Sequence, residues 1–392
     1  MSQTMTAVKA RRLITPLQEI RDAVILIQGE RFVEVGQAGT VPIPDGAPVL
    51  DAGDGIVIPG LVDIHHHGAM GVWASEGPDA LRAIARFQVS AGTTTWLPTV
   101  DDLPSLPVIL QVQKEGTGAA DIGGIHMEGP FLAPKAVPGQ EVMDVRLLPP
   151  SVPLLREFIA AAQGQLLMMG LSQELPGALE VIRALYDAGI VAACAHSKGN
   201  YESFLRGVEA GIRHVTHTYN VMTGFHHRRP GIVGGTLTCD QVTAEITTDN
   251  TQVSPTAVDI LLRCKGPDQV ALITDNVPPT GLPDGVHHFF GRTIVRTNGL
   301  SRMAGSTADQ DNVMIGGEAP FNQNVGNVVR LIGARLRDAV RMATLTPATV
   351  VGIHKRKGSI EPGKDADLLI VDEDVSVRLT MVRGKVVFQA TP

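Results

Sequence analysis

The stretch VIPGLVDIHHHG, residues 57–68, decides how the chain is read. An apolar run over residues 56–64 stops at His65, His66 and His67, so the pattern predicts a buried strand with three imidazoles at its carboxyl end. Side chains alternate along a strand, which puts His65 and His67 on one face and His66 on the other. Two imidazoles at i and i+2 on one face form a natural chelating pair.

Similar runs follow at residues 93–98, 122–127, 165–170, 190–195, 214–218, 242–247 and 270–274. Helix-like stretches separate most of them, at 78–91, 103–114, 152–162, 175–188, 201–210 and 255–265. Eight strands alternating with helices predict an α/β fold of the (β/α)8 TIM-barrel kind, which takes about 250 residues. The two ends of the chain read differently. AVILIQ (23–28) and RFVEV (31–35) flank Gly29-Glu30, and ADLLIV (366–371) precedes TMVRGKVVF (380–388), with Arg383-Gly384 as a turn. The expected organisation is a small β-sandwich domain made of residues 1–55 and 358–392 around a barrel domain of residues 56–357.

Composition narrows the classes. At 392 residues the chain has room for a barrel and a small second domain, and 44% hydrophobic against 19% charged residues excludes a disordered chain. A net charge of −7 with no basic stripe gives no reason to expect a nucleic-acid partner. No run approaches the roughly 18 apolar residues of a membrane span, so no membrane partner is expected. The opening MSQTMTAVKARRL lacks the apolar segment of a secretory leader, so a cytoplasmic location is expected. Cys194, Cys239 and Cys264 form no CxxC pair and read as three buried thiols in a reducing compartment.

The candidate chemistry sits at predicted strand ends. His65 and His67 end the first strand, Glu128 the third, His196 the fifth, His217 the sixth and Asp275 the eighth. The carboxyl end of such a barrel is where catalytic residues gather. Each residue alone has a plainer reading: a packed core histidine, a solvated loop acid, a helix N-cap for Asp275. Together they offer imidazole and carboxylate donors suited to Zn²⁺ or a similar divalent ion, and an open position would make the site catalytic. His126 shares a face with Glu128 and is either a substrate contact or a packed histidine. His214, His354, His226-His227 and His287-His288 are left with the plain reading.

At this point the chain resembles the N-acetylglucosamine-6-phosphate deacetylases of the amidohydrolase superfamily. GTTTWLPT (92–99), HMEGPF (126–131), AHS (195–197), THTYNVM (216–222), RRPG (228–231) and LITD (272–275) follow the opening stretch in the order that family shows. RMATLTPA (341–348) and KGSIEPGKDADLLIVD (357–372) resemble the usual superfamily ending. The resemblance implies removal of an N-acetyl group from an amino-sugar phosphate by a cytoplasmic homodimer holding one or two divalent ions per subunit, zinc first, with iron or manganese as alternatives. It implies Glu128, His196 and His217 as ligands of one ion, His65 and His67 as the pair for a second, and Glu128 as the bridge. GLSQEL (170–175) lacks the bridging Lys of other superfamily members, in keeping with a Glu bridge. It further implies Asp275 as catalytic acid and base, Asn220 and the Val221 backbone as contacts on the phosphate side, and Arg228 as the phosphate-binding Arg.

The departures concern the substrate. Twelve positions after the metal Glu the family usually has a substrate-contacting His, here Gln140; its usual DGxH before Val253 is DNTQ here, giving Gln252. The stretch after the eighth strand reads MAGSTADQDNVMIGG (303–317), unlike the family's usual pattern. Two alternatives therefore stand beside the first reading. One is a hydrolase of the same barrel acting on another small amide, N-acyl compound or lactone. The other is a non-catalytic member kept for binding.

Overall fold

The computed structural model describes residues 5–134, 147–289, 292–304 and 316–391. Eight parallel strands make the barrel: Leu61–His66, Thr93–Val100, Ile125–Glu128, Leu166–Leu171, Val191–Cys194, Ile212–Val215, Thr243–Ile246 and Val270–Leu272. The ring closes where His66 bridges Asn276, with the Asp275 N–H donating to the His65 carbonyl and the His67 N–H to the Asn276 carbonyl, both at 2.9 Å. The expected (β/α)8 barrel is thus present. Its wall is apolar on the helix side, where Trp96, Ile125, Met127 and Met169 meet Leu81, Ile84, Ile109, Phe158 and Ile182. Each such fully buried side chain contributes roughly 1.5–3 kcal/mol.

Both ends of the chain share one hydrogen-bonded sheet of eight strands. Its path runs Lys385–Gln389, Val377–Val382, Leu368–Val371, Ile56–Pro59, Met5–Ile14, Glu19–Gln28 and Arg31–Gln37, with Val49–Asp51 added on Met5–Ile14. The two expected hairpins close at Gln28↔Arg31 and Val382↔Lys385; Arg383 and Gly384 both take positive φ, as a tight two-residue turn requires.

Two expectations need correcting. Of the three thiols expected to be buried, Cys194 is buried, Cys239 is half-buried and Cys264, on the outer helix Pro255–Lys265, is exposed. Residues 56–64 are two strands, not one. Ile56–Pro59 pairs with Leu368–Val371 and with Met5–Ile14, and the barrel begins at Leu61. The handover falls on Gly60, whose N–H donates to Asp367 at 3.0 Å, while the next N–H, of Leu61, donates to Gly92 at 3.1 Å. A Cβ on Gly60 would lie 2.1 Å from Thr94 Oγ1, so only glycine lets the chain pass between the two sheets here.

The structure also contains elements that the sequence did not announce. Gly231–Thr238 (GIVGGTLT) is a helix despite its interior glycines; at Gly235 the glycine makes room for the Phe204 ring, which a Cβ would meet at 2.4 Å. Close packing outweighs poor propensity there. Phe321–Ile332, Leu336–Ala343 and Leu345–Val350 are further helices, and Gly285–Phe289, Arg292–Thr297 and Leu300–Met303 form a small antiparallel sheet.

Candidate metal centre

The strand ends deliver their side chains through unusual backbone. His196, His217 and Asp275 each follow a barrel strand with φ of 47°, 25° and 51°. Non-glycine residues held there cost of order 1–3 kcal/mol each and persist where the surroundings over-determine them. Asp63 helps to do so. Its carboxylate accepts from Thr274 Oγ1 at 2.7 Å and the Thr274 N–H at 3.3 Å, tying the first strand to the eighth just before Asp275.

Glu128 stands in the middle. Its Oε1 lies 2.7 Å from His217 Nε2 and 3.2 Å from His196 Nε2; its Oε2 lies 3.4 Å from His67 Nε2 and 3.7 Å from His65 Nε2. One carboxylate oxygen therefore faces each histidine pair. Both trios, Glu128–His196–His217 and His65–His67–Glu128, bring their ligand atoms within 4.8 Å of one another. Asp275 Oδ1 sits against the second pair, 3.3 Å from His67 Nε2 and 3.6 Å from His65 Nε2. Buried nitrogen and carboxylate donors converging in this way fit divalent ions, with Glu128 shared between two positions.

The electrostatics follow from burial and contact. Burial alone would raise the Glu128 pKa, but the His196 and His65 rings draw it well below the usual carboxylate range. Burial would lower the His65 pKa, yet the carboxylates of Glu245 and Glu128 raise it well above the ordinary value. Asp275 is also held low: the His67 hydrogen bond and the His65 charge outweigh its burial. His126 goes the other way. Burial, then the His65 charge, push it down to about 3. It is a neutral ring with Nδ1 3.3 Å from Thr99 Oγ1 and a buried Nε2 that has no partner among the described residues.

The remaining expected residues lie further out. Asn220 takes part through its backbone: its carbonyl accepts from His217 Nδ1 at 3.2 Å, which leaves Nε2 facing Glu128. Val221 takes φ of 51°, unusual for a β-branched residue. Arg228 is on an exposed loop beside Phe225, which is 63% exposed, and its guanidinium has no partner among the described residues. Gln252 is anchored instead of free, its Nε2 donating to the Gly316 carbonyl at 2.9 Å. Gln140 lies outside the described residues. His66 turns away from the cluster to Thr274 Oγ1 (3.0 Å) and Gln88 Nε2 (2.9 Å), as strand alternation required.

Sequence reasoning missed Glu245; His214, left with the plain reading, is a buried histidine beside it. Glu245 Oε2 accepts from His65 Nδ1 at 2.8 Å and from the His217 N–H at 3.3 Å, and Oε1 accepts from His214 Nε2 at 3.0 Å. The available signal was a carboxylate inside an otherwise uncharged barrel strand, which must find partners when buried.

The fold and this site define a class. The Amidohydrolase family matches residues 56–387, and the chain belongs to that family. Within it, the chain is 31% identical to the N-acetylglucosamine-6-phosphate deacetylase of Vibrio furnissii, over 97% of this chain and 95% of that protein. It is 30% identical to the N-acetylgalactosamine-6-phosphate deacetylase of Escherichia coli O157:H7, over 96% of this chain and 98% of that one. Among solved structures it superposes on a variant of the Mycobacterium smegmatis N-acetyl-D-glucosamine-6-phosphate deacetylase in complex with N-acetyl-D-glucosamine-6-phosphate. That match has a TM-score of 0.85 and 27% identity, and it covers 98% of this chain and 99% of that chain.

Proposed function

We propose that the chain is a metal-dependent amide hydrolase that removes the N-acetyl group from an N-acetylated amino-sugar phosphate. The observation that carries this reading is Glu128, with one carboxylate oxygen toward each histidine pair and Asp275 alongside. Glu128, His196 and His217 would hold one divalent ion, and His65 and His67 with Glu128 a second; zinc suits these donors best. Bound there, such ions supply Lewis acidity, polarising a carbonyl and lowering the pKa of water. Asp275 is a carboxylate at neutral pH and so accepts the proton of the attacking water, then returns it to the leaving nitrogen. The neutral His126 Nε2, buried among these groups, is available for one hydrogen bond to the carbonyl side of the substrate. Arg228 presents a fork of donors suited to a phosphate.

A second reading concerns the substrate alone. Gln252 and Gln140 are uncharged where the resemblance leads one to expect histidine, and Gln252 is already committed to Gly316. The anion would then be held less strongly, or another small amide taken instead. The relatives include deacetylases of both the gluco and galacto epimers, so both belong in the test. The purified protein, stripped of metal and reloaded with Zn²⁺, is assayed for free amine on N-acetylglucosamine-6-phosphate, N-acetylgalactosamine-6-phosphate and the neutral sugars. Turnover of a phosphorylated sugar only in the reloaded form is the expected result. Turnover of neutral amides alone favours the second reading, and gel filtration in the same experiment tests the expected homodimer.

A further inference from the structure

The barrel interior below the histidines holds a second layer with a direction to it. Glu245 is fully buried in the seventh strand, and no Lys or Arg among the described residues pairs with it. Its acceptors reach three donors on two strands: His65 Nδ1 from the first, and His214 Nε2 and the His217 N–H from the sixth and its end. A carboxylate cannot donate, so the proton on His65 sits on Nδ1 in the Glu245 bond. Nε2 is then the nitrogen left to face Glu128, His67 and Asp275, at 3.7, 3.1 and 3.6 Å, where an ion would take the place of its proton. His214 is held in turn, with Nδ1 2.6 Å from Thr243 Oγ1. The chain Thr243–His214–Glu245–His65 runs across three strands and ends on one ring nitrogen of one ligand.

We propose that Glu245 is a positioning residue that makes the His65/His67 end of the cluster a metal position, with His214 as its support. The role falls on the ring of one of the two positions, since Glu245 touches His217 only at its backbone N–H. Glu245 fixes a ring of the His65/His67 pair, whereas the ring orientation of His217 is set by the Asn220 carbonyl. The carboxylate also raises the electron density that His65 offers to a cation. Loss of such an outer carboxylate costs 10–100-fold in metal affinity. Glu245 thus governs whether the site holds two ions or one.

The proposal rests on the two-ion reading above, and Co²⁺ titration of the stripped protein separates the two. Visible absorption follows each ion, and elemental analysis after gel filtration counts them. Wild type is expected to take two ions. Glu245→Gln, which keeps the shape and removes the charge, should weaken the second ion 10–100-fold and leave the first within threefold. A second ion within threefold of wild type overturns the positioning role while leaving the two-ion reading intact. A wild type that takes one ion overturns both. Equal weakening of both ions signals general distortion of the barrel mouth and also overturns the proposal. If Glu245→Gln does not fold, the double variant His214→Phe/Glu245→Leu, with no polar group left at either position, carries the same test. A second ion still bound at wild-type affinity in that protein overturns the proposal.

Discussion

The two ends of the barrel each gather three carboxylates and balance them in opposite ways. On the side of the terminal sheet, Asp121, Asp365 and Asp367 surround Lys357, whose Nζ lies 2.7, 3.0 and 2.7 Å from them. Arg383 adds a bond to Asp121 at 2.7 Å, and Arg356 and Arg31 add bonds to Asp365 at 3.0 and 2.6 Å. Lys357 is 6% exposed; burial would depress its pKa, but the three aspartates outweigh that and raise it. At the other end Glu128, Glu245 and Asp275 pair only with imidazoles among the described residues. The first cluster brings its own permanent cations and is closed. The second can be neutralised only by protons or by metal ions, so it is open to chemistry. A buried group of acids signals a site when the chain does not supply the matching cations.

The largest expected break in this contrast is in rate. Asp275→Asn should retain fold and metal and lose turnover by about 10²–10⁴-fold, because the amide cannot take up a proton at neutral pH. A drop below tenfold in kcat on the phosphorylated sugar removes Asp275 from that role. Next comes stability at the closed cluster. Lys357→Met strands Asp367, takes one partner each from Asp121 and Asp365, and should cost about 3–5 kcal/mol in urea unfolding, with metal content unchanged. A loss below about 1 kcal/mol would mean that the aspartates relax into water.

Arg228→Ala tests whether substrate charge is handled away from both clusters. It should raise KM for a phosphorylated sugar about tenfold or more, since a hydrogen bond to a charged group is worth about 1.5–3 kcal/mol, and leave KM for the neutral sugar alone. Equal effects on both sugars would break that separation. The smallest effect is a slope with pH in the metal-free protein. The raised pKa of His65 means that its stabilisation is complete below its unfolded value of about 6.5 and fades as pH rises through the folded value. Melting temperature after chelation should therefore fall from about pH 6.5 upward, and His65→Gln should flatten that fall. Lys357→Met should leave the slope as it is, because a lysine with a raised pKa loses its contribution only above about 10.5.

What was legible in the sequence was local. The strand ends, the i and i+2 alternation of His65, His66 and His67, and the two hairpins depend on neighbours along the chain and could be read there. Features set by distant neighbours could not. Gly60, where the chain passes between two sheets, is glycine because Thr94 crowds it, and Gly235 within the Gly231–Thr238 helix is glycine because Phe204 packs on it. Glu245 finds His65 about 180 residues away, and the closed cluster draws its members from positions 31, 121, 356, 357, 365, 367 and 383. Charge in the sequence showed that partners were needed but could not say which ones.

The terminal sheet also sets a clock. Ile56–Pro59 lies between Met5–Ile14, made before it, and Leu368–Val371, about 310 residues later. At about 5–20 residues per second, roughly 15–60 s of translation separate those partners. Throughout that interval the N-terminal strands carry an apolar edge with open hydrogen-bonding groups next to a growing barrel. Such edges recruit other chains. The step most exposed to aggregation during synthesis is therefore the wait for the closing strand, and a nascent chain halted before Leu368–Val371 is the form most in need of a chaperone.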